Sequence, residues 1–150
     1  MSTELTPVAQ VCTQIGSDAF RQKIGQALPP GVSLDRFTRT ALTAIQMNPK
    51  VTSADRQSLY NSVIRAAQDG LMPDGREGVL VIYSEWNGSG YSDKVQFQPM
   101  VGGVIKRFGD AGILAYAESV YSKDVIRIWN DDTGQHVTHE PDVFGDRGDF

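Results

Sequence analysis

Cysteine occurs once in 150 residues, at Cys12, so the chain can form no internal disulfide and has no CxxC pair for a metal knuckle or redox couple. Long apolar runs are missing too. Stretches such as Val79-Leu80-Val81-Ile82-Tyr83 fall far short of the roughly 20 residues a membrane-spanning helix needs, so no membrane partner is expected. Glu4 precedes any Lys or Arg and no basic segment leads into an apolar one, so no secretory signal is readable and a cytoplasmic location is expected. There is also no excess of positive charge. The 14 Lys and Arg against 18 Asp and Glu leave −4, which excludes a uniformly cationic coat.

What charge there is comes in blocks. Residues 21–67 carry seven Lys or Arg against Asp35 and Asp55, a net of +5, and residues 94–127 carry five against three acids, a net of +2. Most of the acidic excess is terminal: residues 128–150 hold six acids against Arg147 alone, a net of −5.

Periodicity predicts helices first and strands afterwards. Ser17-Asp18 opens a helix with Phe20, Ile24 and Leu28 on one face, stopped by Pro29-Pro30-Gly31. Ser33 opens a second, with Leu34, Phe37, Ala41, Ala44 and Ile45 as its stripe, ending at Asn48-Pro49. A third is expected from Ser53 through Leu59, Tyr60, Val63, Ile64 and Ala67 to Gly70, where a left-handed cap wants glycine. The period then changes to that of a β-hairpin, Gly78 to Trp86 and Tyr91 to Gln98 around Asn87-Gly88-Ser89-Gly90. Alternation in its second arm buries Val95 and Phe97 and turns Lys94 outward. After Pro99, the residues Val101, Val104, Ile105 and Phe108 predict one buried helical face flanked by Lys106 and Arg107. Strands are expected over Ile113–Tyr121, Lys123–Trp129 and Gln135–His139. The fold class is α+β, with a flexible N-terminal arm over 1–16 and a single core over 17–150.

No catalytic or metal motif emerges. His136 and His139 lie three apart, which puts the rings on opposite faces of a strand, so a metal site is disfavoured. Asn130-Asp131-Asp132-Thr133-Gly134 lacks the later glutamate of a calcium loop and reads as a hairpin turn. GxGxxG, P-loop and GxSxG patterns are absent.

One likeness rises above fold class. Met47-Asn48-Pro49-Lys50, then Ser58 to Ala67, then Gln68-Asp69-Gly70-Leu71-Met72-Pro73-Asp74-Gly75, resembles the RecT family of phage single-strand annealing proteins. There an "NPxL" helix end precedes a helix closing in "QLGLEP", a strand pair, and then "GxxxLxRxSGxI". Here Gly103-Val104-Ile105-Lys106 and Ala111-Gly112-Ile113 fill the last pattern, and the spacing agrees over roughly residues 34–125. Two departures stand out. Val101-Gly102-Gly103 replaces an aromatic-polar-Gly, and Gly109-Asp110-Ala111-Gly112 lacks the family's arginine, with Arg107 two positions before it. The chain also looks truncated relative to the family.

The resemblance implies an ATP-independent protein of DNA recombination and repair that binds single-stranded DNA, pairs it into annealed duplex and assembles as a ring or helical filament. It implies no catalytic residue and no required cofactor, with Mg2+ assistance left open. A partner exonuclease or a host single-strand-binding protein is the expected associate, in the cytoplasm of a bacterial host. Lys106, Arg107 and Lys94 are the first phosphate candidates, Lys123 and Arg127 the next, and Trp86 a base-stacking candidate. Arg36, Arg39 and Arg65 are secondary candidates, for DNA or for protomer contacts. The alternative is a non-catalytic RecT-like assembly subunit that binds DNA weakly or not at all.

Overall fold

The computed structural model describes residues 6–150. They form two compact units, one running to Ala115 and the other spanning Tyr116–Phe150. The division at Ala115 falls within the span 17–150 for which one core is expected from the sequence. The predicted strand Ile113–Tyr121 does not form, and no strand among the described residues pairs with this stretch.

In the first unit, α1 (Pro7–Gly16), α2 (Asp18–Ala27), α3 (Leu34–Met47) and α4 (Arg56–Asp69) precede the hairpin of β1 (Gly78–Trp86) and β2 (Tyr91–Pro99), and α5 (Val101–Asp110) follows it. The flexible arm expected over 1–16 is helical from residue 7. Thr6 caps α1, and Val11 and Ile15 are fully buried among the other helices, so apolar burial orders the segment. Residues 1–5 lie outside the described part. Side-chain caps begin the next helices: Ser17 accepts from Phe20 N, Ser33 from Arg36 N and Asp55 from Ser58 N. The third predicted helix is thus capped by Asp55 rather than Ser53, which closes a 3₁₀ turn at Pro49–Thr52. Gly70 ends α4 at φ +66°, and a Cβ there would lie 2.7 Å from the Pro29 ring.

The core is built from Phe37, Ile45, Leu59, Val63 and Leu71, all fully buried, with Leu80, Val95 and Phe97 of the hairpin laid on them. The register pairs Leu80 with Phe97 and Ile82 with Val95, so these four share one face. The free edge of β2 is satisfied by α4. Ser62 donates to Val95 O at 2.8 Å, Val95 N donates to Ser58 Oγ at 2.9 Å, and Asp55 N donates to Asp93 O at 2.9 Å.

Helix α5 forms, but its apolar stripe is not buried. Val101, Val104 and Phe108 are 62%, 43% and 42% exposed, and Gly103 is the buried residue of the helix. The reason is close backbone approach: a Cβ on Gly103 would sit 2.0 Å from Glu77 O, so the Gly103–Lys106 side faces inward and rotates the predicted face away.

The second unit holds the antiparallel hairpin β3 (Val125–Asp131) and β4 (Gly134–Glu140). None of its residues is buried. Polar contacts converge instead on Asp124, whose carboxylate has no solvent exposure. It accepts from Arg147 at 2.9 and 2.5 Å, from Tyr121 N at 2.9 Å, and lies 2.9 Å from His139 Nε2.

Candidate nucleic-acid interface

Gln57, Asn61 and Arg65 recur every four residues and form a row along α4, opposite the buried Leu59 and Val63. Lys94, Gln96 and Gln98 alternate along β2 and form a second row, on the face opposite Val95 and Phe97. Because α4 is tied to the edge of β2, the two rows flank one open groove of about 740 Å³, with Tyr83, the register partner of Lys94, beside it. The α4 row spans about 12 Å at 1.5 Å per residue.

Most side chains lining the groove are polar, and they supply both signs of hydrogen-bonding capacity. Carboxamides donate and accept, Gln57 already donating to Asn61 Oδ1 at 2.9 Å. Asp55 is engaged in capping α4. Asp69 sits between two guanidiniums, Arg65 Nε at 3.4 Å and Arg107 Nη1 at 3.3 Å, so that end keeps a net positive charge. Lys94 pairs with Glu85, which holds its ammonium above the ordinary Lys value. Such exposed pairs are weak, and a stronger anion can displace the carboxylate.

A family model described as RecT family matches residues 35–148. The chain belongs to the RecT family. Comparison with curated proteins and with solved structures returns no match. RecT-family proteins are single-strand annealing proteins of recombination that bind single-stranded DNA, and they are not known catalysts. The motifs that carry the likeness mark structural boundaries. Asn48-Pro49 is the end of α3, Gln68 to Gly70 the end of α4, and Gly103 to Lys106 the contact side of α5.

Within this RecT-family chain the sequence-predicted cations separate. Arg65 and Lys94 line the α4–β2 groove, and Arg107 reaches its Asp69 end. Lys106 does not join them. Its Nζ donates to Gly70 O at 3.0 Å and to Glu77 Oε2 at 2.8 Å, the same oxygen that accepts Met72 N at 2.8 Å. Lys106 therefore ties the end of α4 to the approach to β1. Arg36 and Arg39 line a separate groove of about 600 Å³ with Met47 and Pro73. Arg39 Nε donates to Asp35 O at 3.3 Å, and the Arg36 guanidinium has no partner among the described residues. Trp86 is 58% exposed at the hairpin end, edge-on to Tyr91 at 5.2 Å. In the second unit, Lys123 pairs with Asp146, and Arg127 stands on β3 without an ion-pair partner among the described residues.

Sequence reasoning missed Gln57 and Asn61. Their four-residue spacing with Arg65 was visible, but nothing local says which structure that row will face. His136 and His139 are held by different carboxylates, Asp131 for the first and Asp124 with Glu118 for the second. No cluster of three or more His, Cys, Asp or Glu suited to a metal ion forms among the described residues. No described helix is long and apolar enough to cross a membrane.

Proposed function

We propose that this chain holds single-stranded DNA along the α4–β2 groove and pairs it with its complement without ATP, as a phage recombination protein acting in the cytoplasm of its bacterial host. The observation that carries this reading is the meeting of the Gln57–Asn61–Arg65 row with the Lys94–Gln96–Gln98 row in one open groove. Arg65, Lys94 and the adjoining Arg107 supply cations for phosphates, the carboxamides meet base edges of any sequence, and Tyr83, 41% exposed, offers a ring to stack on. At about 3.4 Å per stacked base, the 12 Å row accommodates about three nucleotides. Annealing asks for positioning and charge neutralisation rather than bond-making, so no catalytic residue is assigned.

Assembly into a ring or filament is part of the same proposal. Val104 and Phe108 of the exposed α5 stripe, with Ile113 beyond them, line an apolar hollow of about 380 Å³ suited to a second copy. A recombination exonuclease or a host single-strand-binding protein would deliver the strand. The second reading, an assembly subunit with weak DNA binding, draws support from the carboxylates already paired with Lys94, Arg107 and Lys123.

The test is binding of fluorescent poly-dT across a salt series, with annealing followed in the same buffers with and without Mg2+. Arg65→Ala/Lys94→Ala is expected to weaken binding and to flatten the log–log salt slope by about 1.4, roughly 0.7 per lost phosphate contact. Absence of binding at low salt would overturn the DNA reading in favour of the assembly subunit.

A further inference from the structure

In the β3–β4 hairpin, Trp129 is the register partner of His136 and Arg127 that of Thr138, so all four side chains stand on one face. The indole and imidazole planes are stacked, with ring centroids 5.2 Å apart and an interplanar angle of 17°. The imidazole is held in place at its edge. Its Nε2 lies 2.9 Å from Asp131 Oδ1 and 2.9 Å from Thr133 Oγ1, and Thr133 in turn donates to Asp131. The stack is thus ordered before any ligand arrives, which removes part of the side-chain entropy cost of binding. Trp129 remains 46% exposed. Two residues along the same strand, Arg127 has no carboxylate partner among the described residues. Asp131 is engaged by His136 and Thr133, and Glu140 lies at the other end of the face, paired in register with Val125.

We propose that Trp129, stacked on His136, and Arg127 form a nucleotide site on the second unit, in which a DNA base stacks on the indole and its phosphate pairs with the guanidinium. A rigid aromatic surface beside an uncommitted cation is the combination that single-stranded nucleic acids select, because every base has a π-face and every nucleotide a phosphate. About 6.6 Å along the strand separates Arg127 from Trp129, within reach of one nucleotide. The site rests on the reading of the chain as a DNA binder, and it is distinct from the α4–β2 groove.

The chain has two tryptophans, so Trp86→Phe leaves Trp129 as the sole indole reporter. In that background, full-length protein is titrated with fluorescein-labelled dT oligonucleotide while probe anisotropy and tryptophan emission, excited separately, are followed together. The expected result is quenching of Trp129 that tracks the anisotropy rise. Arg127→Ala should flatten the log–log salt slope by about 0.7, and Trp129→Ala should weaken binding about tenfold, with Trp129→Phe restoring most of it. Anisotropy that rises while Trp129 emission and the Arg127→Ala slope stay unchanged would overturn the site and leave the groove reading intact. No anisotropy rise at low salt would overturn both. Because quenching and the Arg127 slope do not require replacing the indole, a Trp129→Ala chain that failed to fold would not blunt the test.

Discussion

Lys106 and Gly103 sit one helical turn apart, and each is explained by what lies within 3 Å. The Lys106 ammonium meets a helix-end carbonyl and the Glu77 carboxylate, and its side chain is one-third exposed, so solvent screening reduces the value of the pair. Lys106→Ala is expected to cost about 1–2 kcal/mol of stability in urea unfolding while leaving the salt slope of oligonucleotide binding unchanged. A slope flattened by about 0.7 would instead make Lys106 a phosphate contact. Gly103→Ala is expected to cost about 1–3 kcal/mol, since its Cβ would collide with Glu77 O at 2.0 Å. Gly109→Ala in the same helix meets nothing within 4 Å and is expected to stabilise by about 0.4–1 kcal/mol, so the two glycines should shift the melting temperature in opposite directions.

Elements inherit these choices. The α4 helix serves β2 twice, satisfying its edge through Ser58 and Ser62 and presenting Gln57, Asn61 and Arg65 to the groove from the neighbouring side. Ser62→Ala leaves the Val95 carbonyl without its buried donor and is expected to cost about 1–3 kcal/mol, measurable by chemical denaturation. The loss should carry over to DNA binding, because the same contact holds the two rows at their spacing. Helix α5 shows the converse, an apolar stripe left outside because glycine backbone packs inside. Val104→Glu/Phe108→Glu is expected to shrink the assembled species in analytical ultracentrifugation without lowering the melting temperature. Unchanged assembly would remove α5 from the interface.

On the scale of the whole molecule, the two units are stabilised by different physics. The first has a continuous apolar core, whereas residues 116–150 have no buried residue and depend on hydrogen-bonded charge around Asp124. That dependence makes the second unit pH-sensitive. Asp124, and after it Glu118, raise the His139 imidazole above its ordinary 6.5. Its stabilising contribution is therefore complete below 6.5 and lost as pH rises through the higher folded value. Arg147 first, then Tyr121 N–H and His139, hold Asp124 well below its ordinary 3.8, so its contribution is present above 3.8 and lost only in stronger acid. The unit is expected to be most stable between 3.8 and 6.5 and to loosen on the alkaline side, as read by Trp129 emission in a Trp86→Phe chain. His139→Gln should remove the alkaline slope, and a slope that survives the substitution would assign it to another group.

Amino-acid order alone determined the pieces whose causes are local. Ser17 and Ser33 as helix caps, Gly70 as a left-handed stop, Asn48-Pro49 as a helix end and the Asn87–Gly90 turn all act within a few residues of the structure they specify. The Asn48-Pro49 and Gly70 stops, in order and spacing with the motifs after them, carried the family likeness over roughly residues 34–125, and the family model extends the match to residue 148. Tertiary structure alone decided which cations remain available. Asp69 is 38 residues from Arg107 and Glu77 is 29 from Lys106, and no local pattern links them. It also decided the rotation of α5, because an apolar stripe predicts burial only when no closer contact competes, and two glycines offered one. The groove itself exists because a serine-bearing helix edge happens to satisfy a strand edge, a pairing of backbone groups that residue order does not encode until the chain has folded.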